Sequence, residues 1–163
     1  MGWILRRATP DDLDAIMAIE TSTFTTDAWS AEAMRGDLGG IHTYYLVAER
    51  DDDSRAIDGY AGLLAPAGAS NGDIQTIAVA EPARRGGLGR ALMNALIGEA
   101  RRRGAREIFL EVRADNPPAR ILYESLGFEG IATRPKYYQP DGVDAVVMRL
   151  RVPDPVTRPA VGA

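Results

Sequence analysis

Apolar positions recur along the chain with two periods. Residues 2–8 (Gly-Trp-Ile-Leu-Arg-Arg-Ala) read as a short opening strand. Thr9 or Asp11 then caps a helix whose Leu13, Ile16, Met17, Ala18 and Ile19 fall mostly on one stripe. Residues 24–29 interrupt it, and Ser30 caps a second helix that Gly39-Gly40 ends. Two strands are expected over 43–49 and 57–64, then an exposed connection over 65–73 carrying Pro, Gly, Ser and Asn, and a further strand over 74–79. From residue 88 the period changes to 3.6. Leu88, Ala91, Leu92, Ala95 and Leu96 share a face opposite Arg90, Asn94 and Arg101, and Gly104 stops the helix. An apolar strand follows over 108–112. Asn116 caps the next helix with Pro117 at its first position, Ala119, Leu122, Tyr123 and Leu126 make its inner face, and Gly127 ends it. Strands over 128–133 and 145–151 flank an aromatic loop at 137–142. From Val152 the chain is Pro-rich without periodicity, so residues 152–163 are expected to be a disordered tail. Helices interspersed irregularly among strands predict an α/β (α+β) domain over 1–151, a sheet with helices on both faces.

Composition narrows the classes without choosing among them. The 163 residues are 45% hydrophobic and 26% charged, as in an ordinary single globular domain. A net charge of −4 gives no electrostatic case for nucleic acid or an anionic membrane, and is compatible with a basic acceptor. The absence of cysteine removes disulfides, thiolate metal sites and a cysteine nucleophile, and the single histidine, His42, cannot build a histidine-based metal site. No metal is expected. The acidic run Asp51-Asp52-Asp53-Ser54 reads as a solvated hairpin loop, because no glycine or downstream ligand completes a calcium-loop spacing. Arg101, Arg102 and Arg103 sit at the negative end of a helix, which explains that basic run better than a nucleic-acid patch does. With no apolar run of membrane-spanning length and no signal-peptide pattern, a cytoplasmic protein is expected.

The chemistry gathers around residues 76–93. Thr76-Ile77-Ala78-Val79 is an apolar strand end, Arg84-Arg85-Gly86-Gly87-Leu88-Gly89-Arg90 a basic glycine-rich bend, and a helix begins at once. Glycines let a backbone approach a ligand closely, and a helix start offers free N–H groups at its positive dipole end. An ordinary turn uses glycine for steric reasons alone, so the loop is read either as a phosphate cradle or as a turn. It is not a P-loop, having no Gly-Lys-Ser/Thr, and it lacks the third glycine of a dinucleotide fingerprint. The spacing Arg84-x-x-Gly87-x-Gly89 resembles the pyrophosphate loop of the GNAT acyltransferase superfamily, which holds the diphosphate of coenzyme A.

Two further residues carry candidate chemistry. Glu111 lies within Ile-Phe-Leu-Glu-Val, so it is either a carboxylate whose burial raises its pKa into a base's range or a residue on the strand's exposed side paired with an arginine. Tyr123 is either a packed tyrosine with its hydroxyl tied to backbone or a phenol able to protonate a departing thiolate. The residues alone leave both open. Leu110-Glu111-Val112-Arg113-Ala114-Asp115-Asn116, then Leu122-Tyr123-Glu124-Ser125-Leu126-Gly127-Phe128, then Tyr137-Tyr138 and Asp144-Ala145-x-x-Met148, resemble the bacterial ribosomal-protein-alanine N-acetyltransferases (RimI), most densely over 74–150.

That resemblance implies a single-domain GNAT fold with a mixed, mostly antiparallel sheet. It implies direct transfer of acetyl from acetyl-CoA to the N-terminal α-amine of a protein, an alanine of a ribosomal protein in that family. Carried across, Glu111 is the proton acceptor and Tyr123 the proton donor. The acetyl-CoA contacts fall on Ile77, Ala78, Val79, Arg85, Gly86, Gly87, Leu88, Gly89, Arg90 and Asn116. The N–H of Val79 is a candidate to polarise the thioester carbonyl. The chain departs from the family at Gly86, where a longer polar residue is frequent, and at Asn116-Pro117-Pro118, which replaces an alanine-rich helix start. Residues 25–30 match only loosely, so acceptor identity is the least transferable part. A lysine or small-molecule amine acceptor, or a non-catalytic acyl-CoA-binding module, are the competing readings.

Overall fold

The structure, a computed structural model, describes residues 2–152. Its elements run β1 (Trp3–Arg7), α1 (Leu13–Thr23), α2 (Ala31–Leu38), β2 (Thr43–Arg50), β3 (Ile57–Leu64), β4 (Asn71–Val79), α3 (Leu88–Arg102), β5 (Glu107–Arg113), α4 (Pro117–Ser125), β6 (Glu129–Tyr138) and β7 (Val143–Arg151). The seven strands form one sheet in the order β1-β2-β3-β4-β5-β7-β6. Every neighbouring pair is antiparallel except β4 with β5. The mixed, mostly antiparallel α/β sheet expected from the sequence is therefore the fold observed.

Two apolar cores separate the sheet's faces. On one, Leu92, Met93 and Leu96 of α3 are fully buried with Ile108, Leu110, Val112, Tyr123 and Met148. Burying each such aliphatic side chain contributes about 1.5–3 kcal/mol. On the other, Ile16 and Ile19 of α1 and Met34 of α2 pack with Tyr45, Val47, Tyr60 and Ala78. The capping residues act as read from the sequence: the Ser30 hydroxyl accepts from the N–H of Ala33, and the Asn116 side chain accepts from the N–H of Ala119. The Thr9 N–H donates to the Asp12 carboxylate at 2.8 Å, closing a 3-10 turn (Pro10–Asp12) that leads into α1.

Three boundaries differ from expectation. β4 begins at Asn71 rather than 74, because Asn71, Gly72 and Asp73 pair with β5; a polar composition masked a stretch that strand pairing holds extended. Tyr137 and Tyr138 end β6 instead of lying in a loop. Val152, read as the start of a tail, is buried and donates its N–H to the Arg106 carbonyl at 2.8 Å. The rest of that expected tail, 153–163, lies outside the described residues. The basic run is used internally: Arg102 and Arg103 both pair with Glu99 at 2.9 Å. No helix among the described residues is long and apolar enough to cross a membrane.

Candidate active site

The sheet opens in the middle. β4 and β5 pair only through Asn71↔Glu107, Gly72↔Ile108 and Asp73↔Phe109. Beyond that, β4 stays with β3 and β5 with β7, so a gap widens toward the two strands' C-terminal ends. The direction of the backbone in this gap follows from the ladder. The Ala80 N–H donates to the Asp58 carbonyl across the β3 register, so Ala78 and Ala80 turn toward β3 while Ile77 and Val79 turn the other way. Ile77 and Val79 thus aim their N–H groups into the gap. Ala78 does not: its N–H belongs to the β3 ladder and its side chain is buried toward α1.

A bulge arranges the faces. Gly62 pairs with Thr76 and Leu63 with Ile74, leaving Gln75 as the extra residue. Alternation consequently reverses there: Ile74 packs with the α3 core, while Thr76 meets Glu20 of α1 and Ala78 joins the α1 core. Asp73, whose neighbour Ile74 points to α3, faces the α1 side. At this crotch lies a cleft of about 770 Å³ lined by Asp27, Trp29, Asp73, Glu111, Tyr137 and Tyr138 among others. The rings of Tyr137 and Tyr138 meet edge-on at 5.1 Å. Both phenols are held above their ordinary range, first by burial and then by the negative charge of Glu111.

The glycine-rich bend closes the far end of the gap. Arg85 (φ 69°) and Gly87 (φ 83°) are left-handed, and Gly87 is the N-cap of α3 with no side chain to cap it. The N–H groups of the first turn are therefore open to an anion, and no acidic residue occupies that turn. Arg84 folds back, its Nε donating to the Val79 carbonyl at 3.0 Å. Arg90 donates to Ser125 Oγ at 2.8 Å, and a Cβ on Gly89 would touch Leu122 at 3.4 Å, so α3 starts against α4. Leu88 is buried and offers only its backbone. At Gly86, a Cβ would come within 3.0 Å of the Trp3 ring, so the indole from β1 packs directly on the bend.

Glu111 is exposed, its side chain 31% accessible, and its nearest cation is Arg134 Nε at 4.0 Å. The burial that its apolar flanks suggested is absent because β5 alternates: Ile108, Leu110 and Val112 point into the α3 core, and Glu111 points to the opposite face. Tyr123 lies on that α3 side, 8% exposed and edge-on to Phe128 at 6.2 Å. Its hydroxyl makes no hydrogen bond among the described residues, and burial pushes its pKa up to about 12. Glu111 and Tyr123 therefore stand on opposite faces of the sheet. Asn116 is exposed at the start of α4, its carbonyl oxygen used in the cap.

Three residues of the site escaped the sequence. Asp73 sat in a stretch taken for a loop. Arg113 entered only as part of the motif around Glu111, yet it pairs with Asp27, Asp115 and Asp141. Glu20 was passed over within α1, but it is buried and accepts from Tyr60, Thr76 and the Trp29 N–H. A glutamate breaking an apolar stripe directly after Ile19 was the only available signal.

A sheet split beside a glycine-rich helix start defines an acyltransferase-like fold, and comparison with known proteins agrees. Residues 13–128 match the model of the acetyltransferase (GNAT) family. The chain belongs to that family. It is 36% identical over 132 residues to the N-alpha-acetyltransferase RimI of Mycobacterium tuberculosis, covering 79% of each chain. It is 39% identical over 150 residues to the uncharacterized protein ML0378 of Mycobacterium leprae, covering 90% of this chain but only 40% of that longer relative. Among solved structures, the ribosomal-protein-S18-alanine N-acetyltransferase of Escherichia coli superposes with a TM-score of 0.80 at 29% identity, covering 96% of this chain and 98% of that one.

Proposed function

We propose that this protein transfers the acetyl group of acetyl-CoA directly to the N-terminal α-amine of a protein, with a ribosomal protein's N-terminal alanine as the target its relatives suggest. The observation that carries the reading is the gap between β4 and β5, flanked by Glu111 on one face and Tyr123 on the other. Acetyl-CoA is the donor substrate. Its diphosphate is assigned to the N–H groups of Gly87, Leu88, Gly89 and Arg90, with Arg85 and Gly86 shaping the bend. Ile77 and Val79 present N–H groups to its acyl arm, Ala78 supports them from the ladder, and Asn116 contributes its free amide N–H groups from the start of α4. The Val79 N–H polarises the thioester carbonyl.

In the transfer, a carboxylate removes a proton from the acceptor ammonium, directly or through water. The amine lone pair then forms the C–N bond as the C–S bond breaks, and the nitrogen gives up its second proton through water, which restores the phenol that serves the leaving group. An α-amine has a free pKa of about 7.7–8.0, so it loses its proton far more readily than a lysine side chain does. Tyr123, kept protonated at neutral pH, returns a proton to the departing thiolate; the apolar surroundings that hold its pKa high also make a thiolate beside it more basic. No covalent enzyme intermediate is needed, in keeping with a chain that has no cysteine.

The test is acetyl transfer to paired peptides, one with a free N-terminal alanine and an internal lysine, the other identical but N-terminally blocked, with the label located by mass spectrometry. Label confined to the free α-amine is expected. Label on lysine in both peptides would overturn the acceptor assignment, and acetyl-CoA binding with no transfer would point to a small-molecule acceptor or a binding module.

A further inference from the structure

Arg113 lies two residues beyond Glu111 on the same face of β5, and its guanidinium is the meeting point of three separate loops. Its Nη1 reaches Asp27 Oδ2 in the α1–α2 connection at 3.4 Å. Its Nη2 donates to Asp141 Oδ2 in the β6–β7 connection at 2.8 Å, and Nε and Nη2 hold Asp115 at 3.0 and 3.1 Å. The guanidinium carbon is 5.1 Å from the centre of the Tyr138 ring. Thr26 Oγ1 joins the same Asp141 oxygen at 3.1 Å, so the two flanking connections are also bonded to each other. Asp27, Trp29 and Gln139 from these connections, with Tyr138 at the end of β6, line the cleft beside Glu111. At its other end, the α1–α2 connection is tied by the Trp29 N–H to buried Glu20 at 2.9 Å.

We propose that Arg113 is a positioning residue that clamps both walls of the acceptor cleft to the strand carrying Glu111. The side chains of Arg113, Asp27 and Asp141 are 18%, 17% and 31% accessible, so the clamp is drier than an ordinary surface ion pair and its charge-assisted bonds are correspondingly stronger. Only a planar fork satisfies partners in three directions at once; a lysine ammonium on its flexible stem does not reproduce that geometry. None of these contacts reaches the glycine-rich bend or the gap-facing edge of β4. The clamp therefore acts on how the acceptor is held and leaves the donor's site alone. Its kinetic meaning rests on the acetyltransferase reading above, but its structural meaning does not.

The experiment compares the full chain with Arg113→Ala, Arg113→Lys and the isosteric Asp141→Asn, by amide hydrogen exchange and by steady-state transfer to whichever amine the unmodified chain acetylates. In Arg113→Ala, exchange over 24–30 and 139–142 should quicken by about tenfold or more while α3 keeps its protection. The acceptor KM should rise about tenfold or more, with the acetyl-CoA KM within about twofold. Arg113→Lys should recover only part of this, and Asp141→Asn, which preserves shape, should loosen 139–142 more than 24–30. Unchanged exchange in both connections overturns the clamp whatever the acceptor proves to be. Equal rises in both KM values would reduce Arg113 to a general structural role and overturn it too. Lysine in place of the α-amine as acceptor refutes the function proposed above and leaves both clamp readouts in force.

Discussion

Asp73 and Glu111 are diagonal neighbours on one face of the sheet at the point where β4 and β5 part: Asp73 pairs with Phe109, and Glu111 stands two residues further along β5. Burial, and then the negative charge of Glu111, hold the Asp73 carboxyl above its ordinary range. Glu111→Gln removes the second cause and keeps the first. The Asp73 carboxyl should therefore titrate lower in that variant, read by carbon NMR of the side chain; an unmoved titration would show that the two groups do not sense one another.

The same pair predicts a stability effect with a definite sign. A carboxyl whose pKa is raised on folding favours the folded state below its unfolded value, about 3.9, and that contribution is lost as pH rises through the folded value. At neutral pH the ionised Asp73 is a liability to the fold. Asp73→Asn should be as stable as the unmodified chain or more so, by under about 1 kcal/mol, since the carboxyl is only partly withdrawn from water and stays screened. Denaturant midpoints at pH 7 measure it, and a clear loss would contradict the sign.

Tyr123→Phe separates chemistry from packing. The hydroxyl has no protein partner among the described residues, while the ring packs on Phe128, so the variant should keep stability within about 0.5 kcal/mol. Acetyl-CoA affinity should be unchanged and kcat should fall by about 10² or more. An unaltered kcat would remove Tyr123 from the proton path.

Glu20 is predicted to make the fold sensitive to pH. It is buried beneath the α1–α2 connection, accepting from Tyr60, Thr76 and the Trp29 N–H, and burial is the first cause that raises its pKa. By the same sign rule, its contribution is greatest below its unfolded value, about 4.3, and declines as pH rises through the raised folded value. Thermal unfolding of Glu20→Gln should show a flatter profile across that window than the unmodified chain. Glu20→Ala, which leaves the hydroxyls and the Trp29 N–H unsatisfied, should cost about 2–4 kcal/mol. Parallel profiles for Glu20→Gln and the unmodified chain would refute the linkage.

Gly62 is needed for the bulge beside the site. The Tyr45 ring lies against it from β2, and its hydroxyl donates to the bulged Gln75 at 2.8 Å. A Cβ at position 62 would overlap that ring. Gly62→Ala should destabilise by about 1–3 kcal/mol and disturb acceptor binding more than donor binding. A variant of unchanged stability would mean that Tyr45 repacks freely.

Local sequence determined the parts of this protein that depend on nearest neighbours along the chain. The helix caps Ser30 and Asn116, the amphipathic face of α3, the strand before the glycine-rich bend and the uncapped helix start after it all follow from propensity and period, which act over a few residues. The family motif around Glu111 and Tyr123 was legible for the same reason. Tertiary structure decided which way those residues face. Alternation on β5 turned Glu111 out of the core, the bulge at Gln75 reversed the faces of β4, and the parting of β4 from β5 placed Glu111 and Tyr123 on either side of one gap. Asp73 and Arg113 acquired their places from partners far along the chain, Phe109 for Asp73 at 36 positions and Asp27 for Arg113 at 86. Pairing register and long-range ion pairs depend on the packed sheet as a whole, and no window of sequence contains both partners.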